Sequence, residues 1–205
     1  MLLGSALLLC ALGLAGYNVL TEKKAEAASS AAVEEILEAM PEELSPSEPT
    51  ANENQELVIP KHILDPVREM PVINVQGWEY IGVLEIPALG LSLPVMSEWS
   101  YTGLYYAPCR FDGSAYTDDL VIIGHNYNCH FGYLKDLPDG STVIFTDVEG
   151  TRFEYESVLR ETLSPNAGEE LCSGDWPLSI ATCTVGGQAR VVLRCEKAES
   201  AAEVK

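Results

Sequence analysis

The sequence predicts an all-β domain, either a barrel or a sandwich, and two observations lead to this fold class. Short apolar runs recur at regular intervals between residues 72 and 197, and turns rich in Gly, Pro and Asp separate them. Few stretches of this region have the spacing of a long helix, and regularly spaced short strands are typical of all-β domains. One core of roughly 130 residues is large enough to fold alone.

The chain begins with an almost wholly apolar, uncharged segment at residues 1–20. Its length is close to the ~20 residues that a helix needs to cross a bilayer. A signal peptide is the alternative, because small residues such as Ala25 follow. We expect an N-terminal membrane anchor over residues 1–21. The first basic residues, Lys23 and Lys24, follow this segment, so the positive-inside rule argues weakly against a cytoplasmic N-terminus.

Residues 22–71 have a different composition, in which Ala, Glu, Ser and Pro dominate. Such a stretch has too little apolar surface to offset the entropy lost on ordering, so we expect a disordered acidic spacer. Apolar residues recur at helical spacing over residues 31–40, but a helix of about ten residues is marginal by itself. We interpret residues 31–40 as transiently ordered rather than as an inhibitory or docking helix.

The net charge of −19 argues against a nucleic-acid partner, because phosphate binding needs a basic surface. Much of this charge lies in the spacer, where mutual repulsion extends the chain. Beside an anionic wall or membrane, the same repulsion would hold the domain off the surface.

Five strands are predicted ahead of the final hairpin. The first two, at 80–86 and 91–95, are joined by a tight turn, and a short buried strand follows at 120–123. Two further strands, at 141–146 and 151–159, form a hairpin across a turn that contains Asp and Gly.

The most informative stretch is residues 178–195, in which two apolar, β-branched runs flank Gly186 and Gly187. A Gly-Gly pair supplies the positive φ angles of a two-residue type I′ turn, so we predict a tight β-hairpin. In that register Cys183 faces Arg190, and directly opposed residues share a face of the sheet. A guanidinium beside a thiol stabilises the thiolate and can donate hydrogen bonds to an oxyanion.

A second arginine, Arg194, lies on the same face of this strand, four residues beyond Arg190. The predicted pairing places Arg194 opposite Ser179, one pleat repeat further from the thiol, so Arg190 is the better candidate. In the alternative interpretation Cys183 is a small buried hydrophobe and both arginines are solvent-facing.

A histidine ends the buried strand at 120–123, since Gly124 and His125 follow it directly. Polar residues on loops held by a rigid sheet are often catalytic. A Cys, a His and an Arg together provide a nucleophile, a proton carrier near neutral pH and an oxyanion stabiliser. The candidate catalytic residues are therefore Cys183, His125 and Arg190.

These motifs resemble those of the sortases, which are cysteine transpeptidases of Gram-positive cell surfaces. The Thr-Leu-x-Gly-His motif of that family is similar to residues 121–125, with an apolar residue in place of the threonine, and its Thr-Leu-x-Thr-Cys motif is similar to residues 178–183. The family arginine on the following strand matches Arg190. Further matching stretches lie at 81–87, 93–95 and 131–137.

The resemblance implies an eight-stranded sortase-type β-barrel with short helices over residues 72–197, followed by a tail at 198–205. It implies that Cys183 attacks a Leu-Pro-x-Thr-Gly-like sorting signal, that Arg190 stabilises the oxyanion and that His125 protonates the departing amine. The thioacyl group is then transferred to an amine of a peptidoglycan cross-bridge or a pilin lysine, without a cofactor or a metal.

The resemblance also implies a location and a substrate groove. The catalytic domain is expected outside the cell, held at the cell membrane by a single N-terminal anchor. Residues 160–177 occupy the region that forms the groove wall in sortases, and the absence of a longer helical insertion argues against class B. Four residues are expected to contact the sorting signal: Asn126, Ala181, Thr182 and Thr184.

Two other classes of function are compatible with the same residues. A cysteine peptidase or another acyl transferase would combine Cys183 and His125 with a different acyl donor or with water, and a catalytically inactive surface-binding domain would use neither. A zinc site is a weaker hypothesis, since its spacing matches no usual framework. Its ligands would be His125, Cys129, His130 and Cys183.

Six cysteines are present, and four of them remain after the apolar segment and the candidate nucleophile are set aside. Four cysteines allow three disulfide pairings, and unpaired buried thiols are an equal alternative. The four are Cys109, Cys129, Cys172 and Cys195.

Overall fold

The computed structural model describes residues 2–40, 61–65 and 67–198. Within this part of the chain, three α-helices are present: α1 (Leu2–Ala39), α2 (Lys61–Leu64) and α3 (Gly168–Leu171). The described residues also form nine strands: β1 (Ile73–Val75), β2 (Trp78–Ile86), β3 (Leu91–Met96), β4 (Cys109–Asp112), β5 (Leu120–Gly124), β6 (Thr142–Asp147), β7 (Arg152–Leu163), β8 (Leu178–Cys183) and β9 (Arg190–Lys197).

Eight of the strands form a closed barrel in the order β2, β3, β4, β5, β8, β9, β7, β6, and β6 pairs again with β2. Two of the pairings, β3 with β4 and β5 with β8, are parallel, whereas the others are antiparallel. Strand β1 pairs with the start of β2 outside this ring. Closure satisfies the strand edges that an open sheet would expose. The predicted eight-stranded barrel is therefore confirmed.

Closure depends on a glycine at position 82, where β2 has a bulge against β3 and also pairs with β6. A Cβ atom on Gly82 would lie 2.1 Å from the carbonyl oxygen of Thr146 in β6. Only a residue without a side chain permits this approach of two backbones.

The barrel interior is filled by apolar side chains from the inward faces of the strands and from the loop after β5. These side chains hold the strand ends at fixed positions, because protein interiors are packed as densely as organic crystals. The largest of them, almost completely buried, include Ile81, Leu84, Ile86, Leu120, Ile122, Phe131, Leu134, Phe145 and Tyr155.

The strands differ from the prediction at three places. Strands β1 and β4 were not predicted, because three or four residues are too few to show a period of two. Strand β7 continues to Leu163 rather than ending at 159, since its second half pairs with β9 up to the pair Leu163 with Arg190.

Helix α1 continues far beyond residue 21, to Ala39. Four of its residues, spaced by four, three and four positions, are buried at 0–4% exposure: Ala25, Ser29, Ala32 and Ile36. They pack toward β1, β2 and β3. The segment at 31–40 is therefore a docked helix and not a transiently ordered one, because tertiary burial stabilises helices whose own propensity is marginal.

In the described part of the chain, α1 is the one helix long and apolar enough to cross a membrane, and it is a candidate anchor. The remainder of the expected spacer, residues 41–60, lies outside the described residues, as does the tail from residue 199 onward.

Candidate active site

The candidate nucleophile and the candidate acid–base residue lie at the ends of two neighbouring parallel strands. The last pair of the β5–β8 ladder is Gly124 with Thr182. His125 and Cys183 follow this pair directly, so their backbones lie side by side, at the usual separation of about 4.8 Å between adjacent strands. The Thr182 hydroxyl donates to the Gly124 carbonyl at 2.9 Å, which holds the two strand ends together.

The register of the β8–β9 hairpin is the predicted one. Cys183 pairs with Arg190, and Ser179 pairs with Arg194. Directly opposed side chains share a face, so the thiol of Cys183 and the side chain of Arg190 lie on the same side of the sheet.

The turn of this hairpin differs from the predicted two-residue type I′ turn. The N–H of Gly187 donates to the Thr184 carbonyl at 2.8 Å, which places Val185 and Gly186 at the centre of the turn. The physical reason is a side-chain hydrogen bond, in which the Thr184 hydroxyl accepts the N–H of Ala189 at 3.0 Å and competes with the backbone ladder. The register survives because the N–H of Thr184 donates to the Ala189 carbonyl at 2.9 Å.

Arg190 is half-buried and borders the groove beside Cys183. Among the described residues, its hydrogen bonds both use Nη1, which donates to the carbonyls of Ala189 and Gly187 at 3.2 and 3.4 Å. These bonds hold the guanidinium against its own turn. The Nη2 and Nε donors remain for a negatively charged oxygen in the groove.

Arg194 has a different environment, since it is buried at 2% exposure. Its Nε donates to Glu161 at 2.7 Å, and its Nη1 donates to the Ser179 hydroxyl at 2.9 Å and to the Leu171 carbonyl at 2.6 Å. Its Nη2 donates to the Glu170 carbonyl at 2.9 Å. The interpretation of Arg194 as solvent-facing is therefore wrong, because this side chain ties α3 to the barrel.

His125 is half-buried, and its desolvation lowers the pKa of the imidazole below the ordinary value. The ring packs on Tyr127 and Tyr105, with centroid separations of 4.8 and 5.3 Å. Its Nε2 is buried and has no hydrogen-bond partner among the described residues. A neutral imidazole with an unpartnered nitrogen is suited to accept and return a proton.

The glycine before His125 has a packing reason. A Cβ atom on Gly124 would lie 2.7 Å from the ring of Phe131, which is completely buried in the core. The N–H of Phe131 donates to the His125 carbonyl at 3.1 Å. The Gly-His pair therefore lets the chain leave β5 and fold back over its own end.

A groove of about 300 Å³ opens beside the three candidate catalytic residues. Of the four predicted substrate contacts, Ala181 and Thr182 line this groove, whereas Asn126 and Thr184 are not among its lining residues. One wall comes from the connection between β7 and β8, as expected for residues 160–177. The lining residues of that wall are Leu163, Ser164, Pro165, Ala167, Gly168 and Leu171.

Three aromatic residues form another part of the lining, and the sequence analysis did not find them: Trp99, Tyr101 and Phe111. The Trp99 ring contacts the rings of Tyr101 and Phe111 at centroid separations of 5.5 and 5.9 Å. They belong to the connection between β3 and β4 and to β4 itself, where no periodic pattern marks them. The exposed rings of Trp99 and Tyr101, together with the half-buried ring of Phe111, give the groove an apolar wall for an extended peptide.

The proposed zinc arrangement is not present in the described residues, where no three His, Cys, Asp or Glu side chains cluster as metal ligands. His130 instead contacts Ser29 of α1. All six cysteines are described and unpaired. Burial raises the pKa of Cys109 to about 11 and that of Cys195 to about 12, so both thiols are inert.

Comparison with known proteins is consistent with this geometry. Residues 84–198 match the model of the Sortase domain, whereas no curated protein matches the sequence. Three solved structures share the fold, as follows. The Clostridium perfringens Sortase D5 transpeptidase has a TM-score of 0.51 and 21% identity over 58% of this chain and 79% of its own. Sortase A from Corynebacterium diphtheriae has a TM-score of 0.55 and 18% identity, over 62% of this chain and 64% of its own. SortaseC1 from Streptococcus suis has a TM-score of 0.51 and 23% identity, over 62% of this chain and 76% of its own.

Proposed function

Since the chain belongs to the sortase family, a group of cysteine transpeptidases, we propose that it cleaves a Leu-Pro-x-Thr-Gly-like sorting signal and transfers the acyl group to an amine. Cys183 is the nucleophile, His125 the acid–base residue and Arg190 the oxyanion stabiliser. The observation that carries this proposal is the parallel pairing of β5 with β8, because it sets His125, which follows β5, and Cys183, the last residue of β8, beside one groove.

The first half of the reaction forms a thioester. Neutral His125 takes the proton of the Cys183 thiol, and the sulfur attacks the carbonyl carbon of the threonine-like residue. The free donors of Arg190 stabilise the negative charge on the carbonyl oxygen. The tetrahedral adduct collapses when the bond to the glycine nitrogen breaks, and the imidazolium of His125 gives its proton to that leaving amine.

The second half transfers the acyl group. An amine of a peptidoglycan cross-bridge or of a pilin lysine attacks the thioester carbon, and His125 takes the proton that this amine loses. The carbon–sulfur bond then breaks, which regenerates the thiolate of Cys183 and leaves a new amide. Attack by water on the same carbon would instead hydrolyse the thioester.

The groove supports a largely apolar peptide donor. Its aromatic and aliphatic walls offer contact area to Leu and Pro side chains, and carboxylates are absent from its described lining. A sortase C from Clostridium perfringens, similar in fold with a TM-score of 0.52 and 20% identity, was solved with the C-terminal cell wall sorting motif. Helix α1 anchors the enzyme in the cell membrane, and the barrel lies outside the cell, where such substrates are displayed.

The test is formation of a thioacyl adduct by the full chain in detergent micelles, followed by intact mass. A panel of Leu-Pro-x-Thr-Gly-like peptides is supplied with and without an amine acceptor. We expect an adduct that disappears when the amine is added and the amide product forms.

Matched variants assign the roles. Cys183→Ala should abolish the adduct, whereas Cys172→Ala, which removes an exposed thiol, should retain it. Arg190→Ala should slow adduct formation about 100-fold, whereas Arg152→Ala removes an arginine of another strand and should have little effect. Absence of an adduct with every peptide would reject the sorting-signal donor, and an adduct resolved by water alone would indicate a peptidase.

A further inference from the structure

The loop that follows β5, here called the histidine loop (residues 125–132), is held by its own hydrogen bonds. The N–H of Phe131 donates to the His125 carbonyl at 3.1 Å, and the N–H of Gly132 donates to the Tyr127 carbonyl at 2.8 Å. The position of His125 therefore depends on the conformation of the whole loop.

Helix α1 contacts the histidine loop at two points. The Glu22 carboxylate accepts the N–H of Asn128 at 2.6 Å, and the Cys129 thiol lies 3.7 Å from the Glu22 carbonyl oxygen. Two turns further along the helix, the Ser29 hydroxyl lies 3.1 Å from Nε2 of His130. Both Ser29 and His130 are buried, so this second contact excludes water.

The Ser29 contact has a defined direction. The single hydroxyl hydrogen of Ser29 donates to the Tyr106 carbonyl at 2.6 Å, so the Ser29 oxygen accepts the Nε2–H of His130. Desolvation lowers the pKa of His130 to about 4. The ring is therefore neutral at pH 7, and Ser29 joins α1, the histidine loop and the segment before β4 at one buried node.

Aromatic packing continues from this node to the candidate acid–base residue. The Tyr127 ring lies 5.6 Å from the His130 ring and 4.8 Å from the His125 ring, measured between centroids. No residue of α1 is among the described lining of the groove. The helix therefore acts from behind the histidine loop and leaves the groove open.

From these contacts we propose that Glu22 and Ser29 are positioning residues, through which helix α1 holds the histidine loop and keeps His125 beside Cys183. The candidate membrane anchor is then also a structural part of the active site. The catalytic consequence rests on the proposed function, whereas the positional one does not.

The test uses the full chain in detergent micelles. The variants are Glu22→Ala, Ser29→Ala and their combination. Glu22→Gln is the conservative variant, because its side-chain oxygen still accepts the N–H of Asn128. Glu38→Ala, which removes an exposed acid of the same helix, is the matched control. The first readout is the pKa of His125 from NMR of the imidazole carbons, which needs no substrate.

Release of the loop should expose the His125 ring and raise its pKa toward the ordinary value of 6.5. We expect this rise in the double variant and a smaller rise in Glu22→Ala. Glu22→Gln and Glu38→Ala should match the wild type. Thermal unfolding of each variant shows that the barrel is intact, which separates a displaced loop from a lost fold.

The second readout is steady-state transpeptidation of a sorting-signal peptide in the presence of an amine acceptor. We expect kcat to fall about ten-fold in the double variant, because a small misplacement of a catalytic group is costly, while KM stays unchanged because the groove lining is intact. An unchanged His125 pKa with an unchanged kcat in the folded double variant would overturn the proposal. If the double variant does not fold, an unchanged pKa of His125 in Glu22→Ala would overturn the proposal instead.

Failure of the proposed function gives a different result. The wild type would then form no adduct with any peptide. The pKa of His125 could still be compared between the wild type and the α1 variants, because that measurement needs no substrate. The pKa readout alone then decides the positioning role.

Discussion

His130 gives the stability of the protein a pH dependence that can be traced to one side chain. Its ring is completely buried, and desolvation lowers its pKa to about 4 from the ordinary value of 6.5. Between these pH values the unfolded chain binds a proton that the folded chain does not bind. As far as His130 is concerned, the free energy of unfolding is therefore highest above pH 6.5 and falls as the pH drops toward 4.

We predict that His130→Gln reduces this pH dependence. Glutamine can still donate a hydrogen bond to Ser29 but does not titrate. Urea unfolding gives the free energy of unfolding at pH 7.5 and at pH 4.5. The decrease from pH 7.5 to pH 4.5 should be smaller in the variant than in the wild type by about 2 kcal/mol. Equal losses in the two proteins would show that His130 does not account for the effect.

Gly124 is a second residue whose identity follows from packing. We predict that Gly124→Ala destabilises the fold by about 1–3 kcal/mol, because the new methyl group would overlap the buried Phe131 ring and force it to move. Denaturant unfolding measures the change. Gly168→Ala is the control, since a Cβ atom there lies 3.9 Å from its nearest neighbour, Phe111, and should cost far less.

At the scale of elements, strand β9 presents two arginines on one face with different roles. Arg190 lies at the turn end of the hairpin beside Cys183, whereas Arg194 is surrounded by β7, β8 and α3. Alternation along the strand cannot separate the two, since both face the same way. Their positions along the ladder, relative to the turn and to the groove wall, separate them.

We predict that Arg194→Ala costs about 3 kcal/mol of stability, because it leaves the Glu161 carboxylate and two α3 carbonyls without their buried donor. Arg152→Ala, which removes an arginine of exposed ion pairs, should cost less than about 1 kcal/mol. Thermal unfolding compares the two. Similar losses in both variants would contradict the structural role of Arg194.

Helix α1 is the element for which the sequence-based prediction differs most from the structure. Its buried face consists of Ala25, Ser29, Ala32 and Ile36, and three of these four are small residues that are common in spacers. Composition therefore indicated a stalk from residue 22 onward. Only the presence of β1, β2 and β3 beneath this face turns it into a docked helix.

At the scale of the whole molecule, barrel closure depends on the contact between β2 and β6. We predict that Gly82→Ala destabilises the protein by about 3 kcal/mol or more, because its methyl group would meet the backbone of Thr146, which cannot rotate away. Denaturant unfolding tests this expectation. A loss no larger than that of Gly168→Ala would show that the barrel can relax at this seam.

The all-β class and the pairing of Cys183 with Arg190 could be predicted because both depend on local patterns, whereas the eight-stranded barrel was implied by the resemblance to sortases. Alternation and turn residues define short strands, and a hairpin fixes its own register within a few residues. The same reasoning missed β1 and β4 because they are short, and it misplaced the turn because the Thr184 hydroxyl competes for a backbone N–H.

The sequence by itself determined the strand-end histidine, the cysteine–arginine hairpin and the apolar segment that is a candidate anchor. The tertiary structure alone decided that β5 lies beside β8, that Trp99 and Phe111 reach the groove, and that α1 packs behind the histidine loop. These contacts join segments far apart in the chain, and the small or isolated side chains that make them give only a weak signal in the sequence. Their stabilising energy depends on neighbours that only the folded barrel supplies.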